Sequence, residues 1–199
     1  INDLGYQSIA VPGSIRAYSE AISRWGSLPW ADIMTPAINH AKRGVIIRPH
    51  MFNWWNTNDG SGRVSALDRL NFSSSGQRIY FDKDGKLKGV GERLKNPELA
   101  ETLQHLADFG AEDFYTGKVA SQIIEDMEKN DGIISAKDLS DYKTTITKPL
   151  WSDYHGLRLS TNQPPGGGIM LIEMLNILEN FDLPSLGHNS VEYIRVVSE

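Results

Sequence analysis

The stretch Gln163-Pro-Pro-Gly-Gly-Gly168, running into Ile169-Met-Leu-Ile-Glu-Met-Leu-Asn-Ile-Leu178, decides the fold class. Two prolines and three glycines break the chain sharply, and the segment that follows is apolar except at Glu173 and Asn176. A helix from Gly168 to about Asn180 is then apolar around most of its circumference. Such a helix is covered on more than one side rather than laid on a surface. Just upstream, Lys143 to Asn162 changes toward strand periodicity, with Thr144 to Thr147, Leu150, Trp151, Tyr154, Leu157 and Leu159 broken by Pro149 and Gly156. Strands feeding a sandwiched helix predict a layered α/β architecture.

Working back toward the start, the signals are mostly helical. Ser8 to Val11 is a short strand-like run before the Pro12-Gly13 turn. Ile15, Tyr18, Ala21, Ile22 and Trp25 then recur at helical spacing until Gly26. Thr35-Pro36 reads as a cap with proline at the first helical position, and Gly44 closes that helix. Another short helix follows Pro49 with Met51, Phe52, Trp54 and Trp55. Residues 57–77 are rich in Gly, Ser and Asn and predict a loop excursion. Ile79-Tyr-Phe81 and Leu87-Lys-Gly-Val90 flank Asp84-Gly85, a hairpin signal, so that loop and hairpin together occupy about 57–95. Asn96-Pro97 caps a helix carrying Leu99, Leu103, Leu106 and Ala107, which ends at Gly110. Ala120, Ile123, Ile124 and Met127 mark the next, which ends near Asn130-Asp131-Gly132. Ser135 to Asp138 forms a capping-box-like start to one more helical turn.

With 199 residues, 40% hydrophobic and 23% charged, the chain has the composition of one globular domain or a large piece of one, and neither disorder nor a collagen repeat fits. The absence of Cys excludes disulfides, thiolate metal sites and a cysteine nucleophile. A net charge of −5 with no Lys/Arg-rich run argues against nucleic acid as a partner. The apolar run at 169–178 is far shorter than the ~20 residues a membrane span needs. The chain starts at Ile1 rather than Met and stops inside a helical pattern at Glu199, which reads as a piece of something longer.

Among groups that could carry chemistry, Gly60-Ser61-Gly62 is too short for a nucleophile elbow. His40, His50, His105, His155 and His188 show no metal-ligand spacing and read as surface or structural histidines. Asp82-Lys-Asp-Gly85 lacks the later ligands of a calcium loop and reads as a turn. Trp54-Trp55 reads as a packing contact, since no basic residues interleave with it. Glu112-Asp113 and Glu125-Asp126 read as solvated helix faces. Gly166, Gly167 and Gly168 are the candidate binding positions. At a helix N-terminus the free amides favour an anion, whereas the same glycines also suit a close backbone packing.

Taken in order, the motifs resemble the γ-glutamyltranspeptidase family. They are Ala10-Val-Pro-Gly13, Trp25-Gly-Ser-Leu-Pro-Trp30, Thr35-Pro-Ala-Ile38 with Ala41-Lys-Arg-Gly44, and Leu99-Ala-Glu-Thr-Leu103. Gly110-Ala-Glu-Asp-Phe-Tyr-Thr-Gly117, Ile134-Ser-Ala-Lys-Asp-Leu139 with Tyr142, Lys148-Pro-Leu150 and Tyr154-His-Gly156 continue the series. Pro164-Pro-Gly-Gly-Gly168 with Leu175-Asn-Ile-Leu-Glu179 completes it. The resemblance implies an αββα sandwich of the N-terminal-nucleophile hydrolases, with residues 1–199 a single partial domain from the helix-rich large subunit. It also implies a precursor that cuts itself, a small subunit as partner, and a γ-glutamyl donor such as glutathione with water, an amino acid or a peptide as acceptor.

No cofactor or metal is implied, and a periplasmic or extracellular location is favoured. The family's nucleophile is the N-terminal Thr of the small subunit, expected downstream of Glu199, so the resemblance places no catalytic residue in this chain. It leaves Gly166 to Gly168 as residues near the substrate cleft. Where the family commonly has three Pro, two Ser and two Gly, this chain has Gln163-Pro-Pro-Gly-Gly-Gly168. A related acylase on another amide, such as a β-lactam side chain, and a non-catalytic member kept for binding are the rival readings.

Overall fold

The computed structural model describes residues 3–57, 60 and 62–199, which divide into two compact units, 1–144 and 145–199. In the first, a tight helical turn at Tyr6–Ser8 precedes α1 (Ser14–Trp25) and α2 (Trp30–Arg43), then β1 (Val45–Ile46), α3 (Pro49–Trp55), α4 (Ala66–Asn71) and α5 (Ser74–Tyr80). β2 (Arg93–Leu94), α6 (Pro97–Phe109), α7 (Asp113–Thr116), α8 (Lys118–Lys129) and α9 (Ala136–Asp141) complete it. β1 and β2 pair antiparallel, Val45 opposite Leu94. The second unit holds β3 (Leu150–Tyr154), β4 (Leu157–Thr161), α10 (Gly168–Leu178), α11 (Leu183–Leu186) and α12 (Val191–Ser198).

The core of the first unit forms where the helical periodicity places it. Met34 of α2, Leu106 of α6 and Val119 of α8 bury one cluster, flanked by Ile38, Leu103 and Ala107. Ala120 and Met127 of α8 join Ile134 and Leu139 in the other. Trp30 fixes α2 to α6 by donating its indole N–H to the Leu106 carbonyl at 2.8 Å. The expected helix ends hold: Asn96 accepts from the Leu99 amide, Gly44 and Gly110 terminate their helices at positive φ, and Ser135 and Asp138 form a reciprocal capping box.

Several expectations give way. α2 begins at Trp30, not at Thr35-Pro36; Pro29 and Asp32 start it earlier, and Thr35 instead donates its hydroxyl to the Ala31 carbonyl. Pro36 sits inside the helix, where it forfeits one backbone bond while Met34 and Ile38 keep α2 packed on the core. Residues 57–77 are not all loop: Ser65 caps α4 and Ser73 caps α5. Ser61, with Asn58 and Asp59, lies outside the described residues. α5 carries Ile79 and Tyr80 as helix, leaving a single bridge, Phe81 to Leu87, of the expected hairpin. Its turn survives, with Gly85 at φ 76° and the Asp82 carboxylate accepting from the Asp84 and Lys86 amides, both at 2.9 Å. Neither Ser8–Val11 nor Thr144–Thr147 becomes strand.

In the second unit the strand expectation holds over ten residues paired from Leu150↔Thr161 to Tyr154↔Leu157. His155 (φ 45°) and Gly156 (φ 78°) form the two-residue turn, both left-handed as a hairpin of this length requires. α10 packs on β3. Ile169, Met170, Leu171, Met174 and Ile177 stay exposed, so within these residues α10 is covered on one side and not sandwiched.

Candidate functional site

The glycine turn closes the second unit's hairpin onto α10. Ser152 of β3 donates its hydroxyl to Asn176 of α10 at 3.2 Å, and the Glu179 carboxylate accepts the His155 amide at 2.8 Å. Gln163 reaches back to donate to the Lys148 carbonyl at 2.9 Å. Those three bonds fix where the turn begins and where the helix points.

None of Gly166, Gly167 and Gly168 needs a positive φ. What Gly166 and Gly168 need is room. A Cβ on Gly166 would lie 1.7 Å from the Asn162 amide nitrogen, and one on Gly168 would lie 2.1 Å from the Thr161 hydroxyl and 2.6 Å from the Asn162 amide oxygen. The Asn162 side chain, which accepts from Thr161 at 3.1 Å, thus occupies the space between the outer two glycines. Gly167 differs, being exposed with nothing within 4 Å of an added Cβ. The first turn of α10 has no side-chain cap. Close packing therefore explains two of the three glycines, and the third is open. Asn162 is the neighbour that sequence reasoning missed; its place directly before Gln163-Pro164 was the available signal.

A second constellation ties down the start of α1. Tyr115, 1% exposed, donates to the Pro12 carbonyl at 2.8 Å and accepts the Arg16 amide at 2.9 Å. Arg16 lies over its ring at 4.1 Å and pairs with Glu112, while Tyr142 stacks parallel to it with ring centroids 5.9 Å apart. Gly13 is forced by that stack: a Cβ there would sit 2.0 Å from the Tyr142 hydroxyl. The hydrogen bonds of Arg16 hold the Glu112 carboxyl below its ordinary range, and burial pushes the Tyr115 phenol up. Asp113 accepts from the Val119 and Lys118 amides and from His105, and those backbone donors lower its pKa. Asp113 is therefore a structural joint and not part of a solvated face, because the start of α7 turns its carboxylate onto α6 and α8, whereas Glu112 stays exposed beside Arg16. Asp126 likewise accepts from the Tyr6 hydroxyl at 2.9 Å.

The remaining sequence candidates stay apart. His105 is engaged with Asp113, His155 occupies the hairpin turn, and among the described residues no group of three His, Asp or Glu could hold a metal. Trp55 packs edge-on to Tyr80, while Trp54 is exposed. Among the described residues, no helix is long and apolar enough to cross a membrane.

The gamma-glutamyltranspeptidase family profile matches residues 1–199. The chain belongs to the gamma-glutamyltranspeptidase family. It is 34% identical to a glutathione hydrolase proenzyme of Pseudomonas aeruginosa over 98% of its own length and 33% of the relative's. It is 32% identical to an Acylase ACY 1 proenzyme of Pseudomonas sp. (strain SE83), covering 100% of this chain and 34% of that one. Among solved structures, the gamma-glutamyltranspeptidase of Helicobacter pylori superposes with a TM-score of 0.84 at 30% identity, over 99% of this chain and 54% of that one. The helix-rich α/β fold with small antiparallel sheets is therefore a gamma-glutamyltranspeptidase fold. The chain spans about a third of the length of the curated relatives it matches.

In this family frame the two constellations have different standing. The motifs Pro12-Gly13, Gly110 to Gly117 and Tyr142 converge on the Tyr115 joint. There the Tyr115 hydroxyl, the Arg16 amide and the Arg16 guanidinium nitrogens facing Glu112 have internal partners, and among the described residues only Arg16 Nε is buried without one. The glycine turn alone offers uncapped amides beside an open position.

Proposed function

We propose that this chain is part of a γ-glutamyl transferase or hydrolase acting on glutathione or another γ-glutamyl amide. The observation that carries the reading is the family match along all of residues 1–199, joined to relatives named glutathione hydrolase proenzymes. In this reading the 199 residues belong to a large subunit, and the partner is a small subunit cut from the same precursor. The small subunit's N-terminal Thr, beyond Glu199, attacks the γ-carbonyl. Its own free amine takes the hydroxyl proton, and backbone N–H groups hold the resulting oxyanion. Water or an amino-acid or peptide acceptor then releases the acyl group, with no cofactor. Gly166 to Gly168 lie near the substrate cleft, a placement supported by the open side of Gly167 and the uncapped first turn of α10.

The test is the intact mass and N-terminal sequence of the whole gene product. Two chains, the smaller beginning with Thr, together with release of p-nitroaniline from γ-glutamyl-p-nitroanilide, are the expected result. One uncut, inactive chain counts against it and favours a member kept for binding. A second reading, an acylase on another amide, is favoured by the comparable identity to Acylase ACY 1 and by a turn without serine hydroxyls. Preference for a glutaryl amide over the γ-glutamyl one decides for it, because the two differ only in the donor's α-amino group, which a pocket without a partner for it cannot select.

A further inference from the structure

Residues of the segment before α1, of α8 and of the α4–α5 joint line an open concavity of about 510 Å³. Leu4, Ile9, Phe72, Ile123 and Met127 form its apolar walls. Tyr6, Ile123 and Met127 belong to the α8 core cluster, so the floor is held by packing that the fold needs in any case.

Three charged side chains line it: Asp3, Arg69 and Asp126. Asp3 and Arg69 neutralise each other as an ion pair, and Arg69 spends further donors on the Asp3 and Val64 carbonyls. Asp126 receives only neutral donors, the Tyr6 hydroxyl at 2.9 Å and the Asn130 amide at 3.2 Å. Among the described residues, no Lys, Arg or His pairs with it. The lining therefore carries one exposed carboxylate without a cationic side chain beside it, next to apolar walls.

We propose that this pocket binds a small organic cation, an ammonium group on an aromatic or branched aliphatic body. The ammonium supplies Asp126 with a cationic partner beside its two neutral donors, and the body covers Phe72, Ile9 and Leu4. An anionic ligand would face the unpaired carboxylate, with the Arg69 donors already engaged. A neutral one would gain the walls but not the charge.

The experiment is a titration of the full-length protein with 2-phenylethylamine, compared with 2-phenylethanol and 3-phenylpropionate, which carry the same ring on a neutral and an anionic head. Saturable binding of the amine, about tenfold tighter than either analogue, is expected, with Asp126→Asn reducing it to the level of the alcohol. Phe72→Ala weakens amine and alcohol alike. Absence of saturable amine binding, equal binding of amine and alcohol, or an unaltered affinity in Asp126→Asn overturns the proposal. The comparison of ligands needs no variant, so it holds even where a substitution impairs folding. Because the readout is binding and not turnover, it stands whether or not γ-glutamyl amides are cleaved.

Discussion

Residues 1–144 and residues 145–199 use apolar sequence in opposite ways. The first unit buries it: Ile47, Leu106, Tyr115 and Leu139 are all at 1% exposure or less. The second contains the most apolar run of the chain, yet among its described residues no apolar side chain is buried, and Met170 of α10 is 63% exposed. Apolar content alone does not make a core. Amphipathic helices with one apolar stripe can close on one another, whereas a helix apolar on most sides needs cover that a single two-stranded hairpin does not supply.

The sharpest way to break this contrast is truncation of one apolar side chain in each unit. Leu106→Ala removes a side chain from between α2, α6 and α8 and is expected to cost about 2–5 kcal/mol. Met174→Ala, on the exposed side of α10, is expected to stay within about 0.5 kcal/mol when the 199 residues are measured by denaturant unfolding. Equal losses would mean that α10 is covered after all.

Glycine substitutions sharpen the contrast at a smaller scale. Gly13→Ala drives a methyl group into the stacked Tyr142 and is expected to cost about 1–3 kcal/mol. Gly167→Ala, at φ −71° with open space around it, is expected to be neutral or to stabilise by up to about 1 kcal/mol. Gly167→Leu extends the test to function. If, as proposed, the full-length protein cleaves γ-glutamyl amides and this turn borders the cleft, that turnover falls while the thermal midpoint does not.

Acidification separates the units next. Asp113 has its pKa below the ordinary 3.8 because the Val119 and Lys118 amides favour its charged form. A carboxyl with a lower pKa in the folded than in the unfolded chain stabilises above its unfolded value, and that contribution disappears as pH falls through the folded one. Glu112, lowered by Arg16 from an ordinary 4.5, acts in the same sense. The thermal midpoint of the first unit should therefore drop below about pH 4, and Asp113→Asn should be less stable at neutral pH and flatten that decline. An unaltered profile in the variant removes the joint from the account.

Much of the helical framework was legible in the sequence, but the division into two units was not. Helical periodicity found α1, α6 and α8, and caps at Asn96 and Ser135 placed their helix starts because a side-chain oxygen acts on amides two or three residues away. What escaped was local structure too short to show a period. α4 and α5 span two turns or less, and β1 pairs with β2 across nearly fifty residues of chain, a contact that no local pattern encodes. The Tyr115 joint escaped for a related reason: its motif was visible, but the partners Pro12, Arg16 and Tyr142 come from distant positions. At the glycine turn the residue types suit both a ligand and tight packing, and favour tight packing. Only the position of Asn162 separated Gly166 and Gly168 from Gly167.

The smallest expected effect tests whether the two units are energetically separate. His155 holds φ 45° in the hairpin turn, a left-handed conformation that costs most side chains about 1–2 kcal/mol and Asn less. His155→Asn preserves the backbone amide that Glu179 accepts, but it gives up the edge contact of the imidazole with Tyr154 at 4.4 Å. The net gain should be about 0.5 kcal/mol, within the range of a favoured turn residue offset by one lost ring contact. Its size matters less than where it is read. If the units unfold independently, hydrogen exchange should slow at the amides of β3 and β4 and stay the same at Leu106 and Leu139, since a turn can protect only the structure that opens with it. Slowing in both places would mean that 1–144 and 145–199 open together. In that case the exposed apolar face of α10 would be a feature of one cooperative body, not of a weaker second unit.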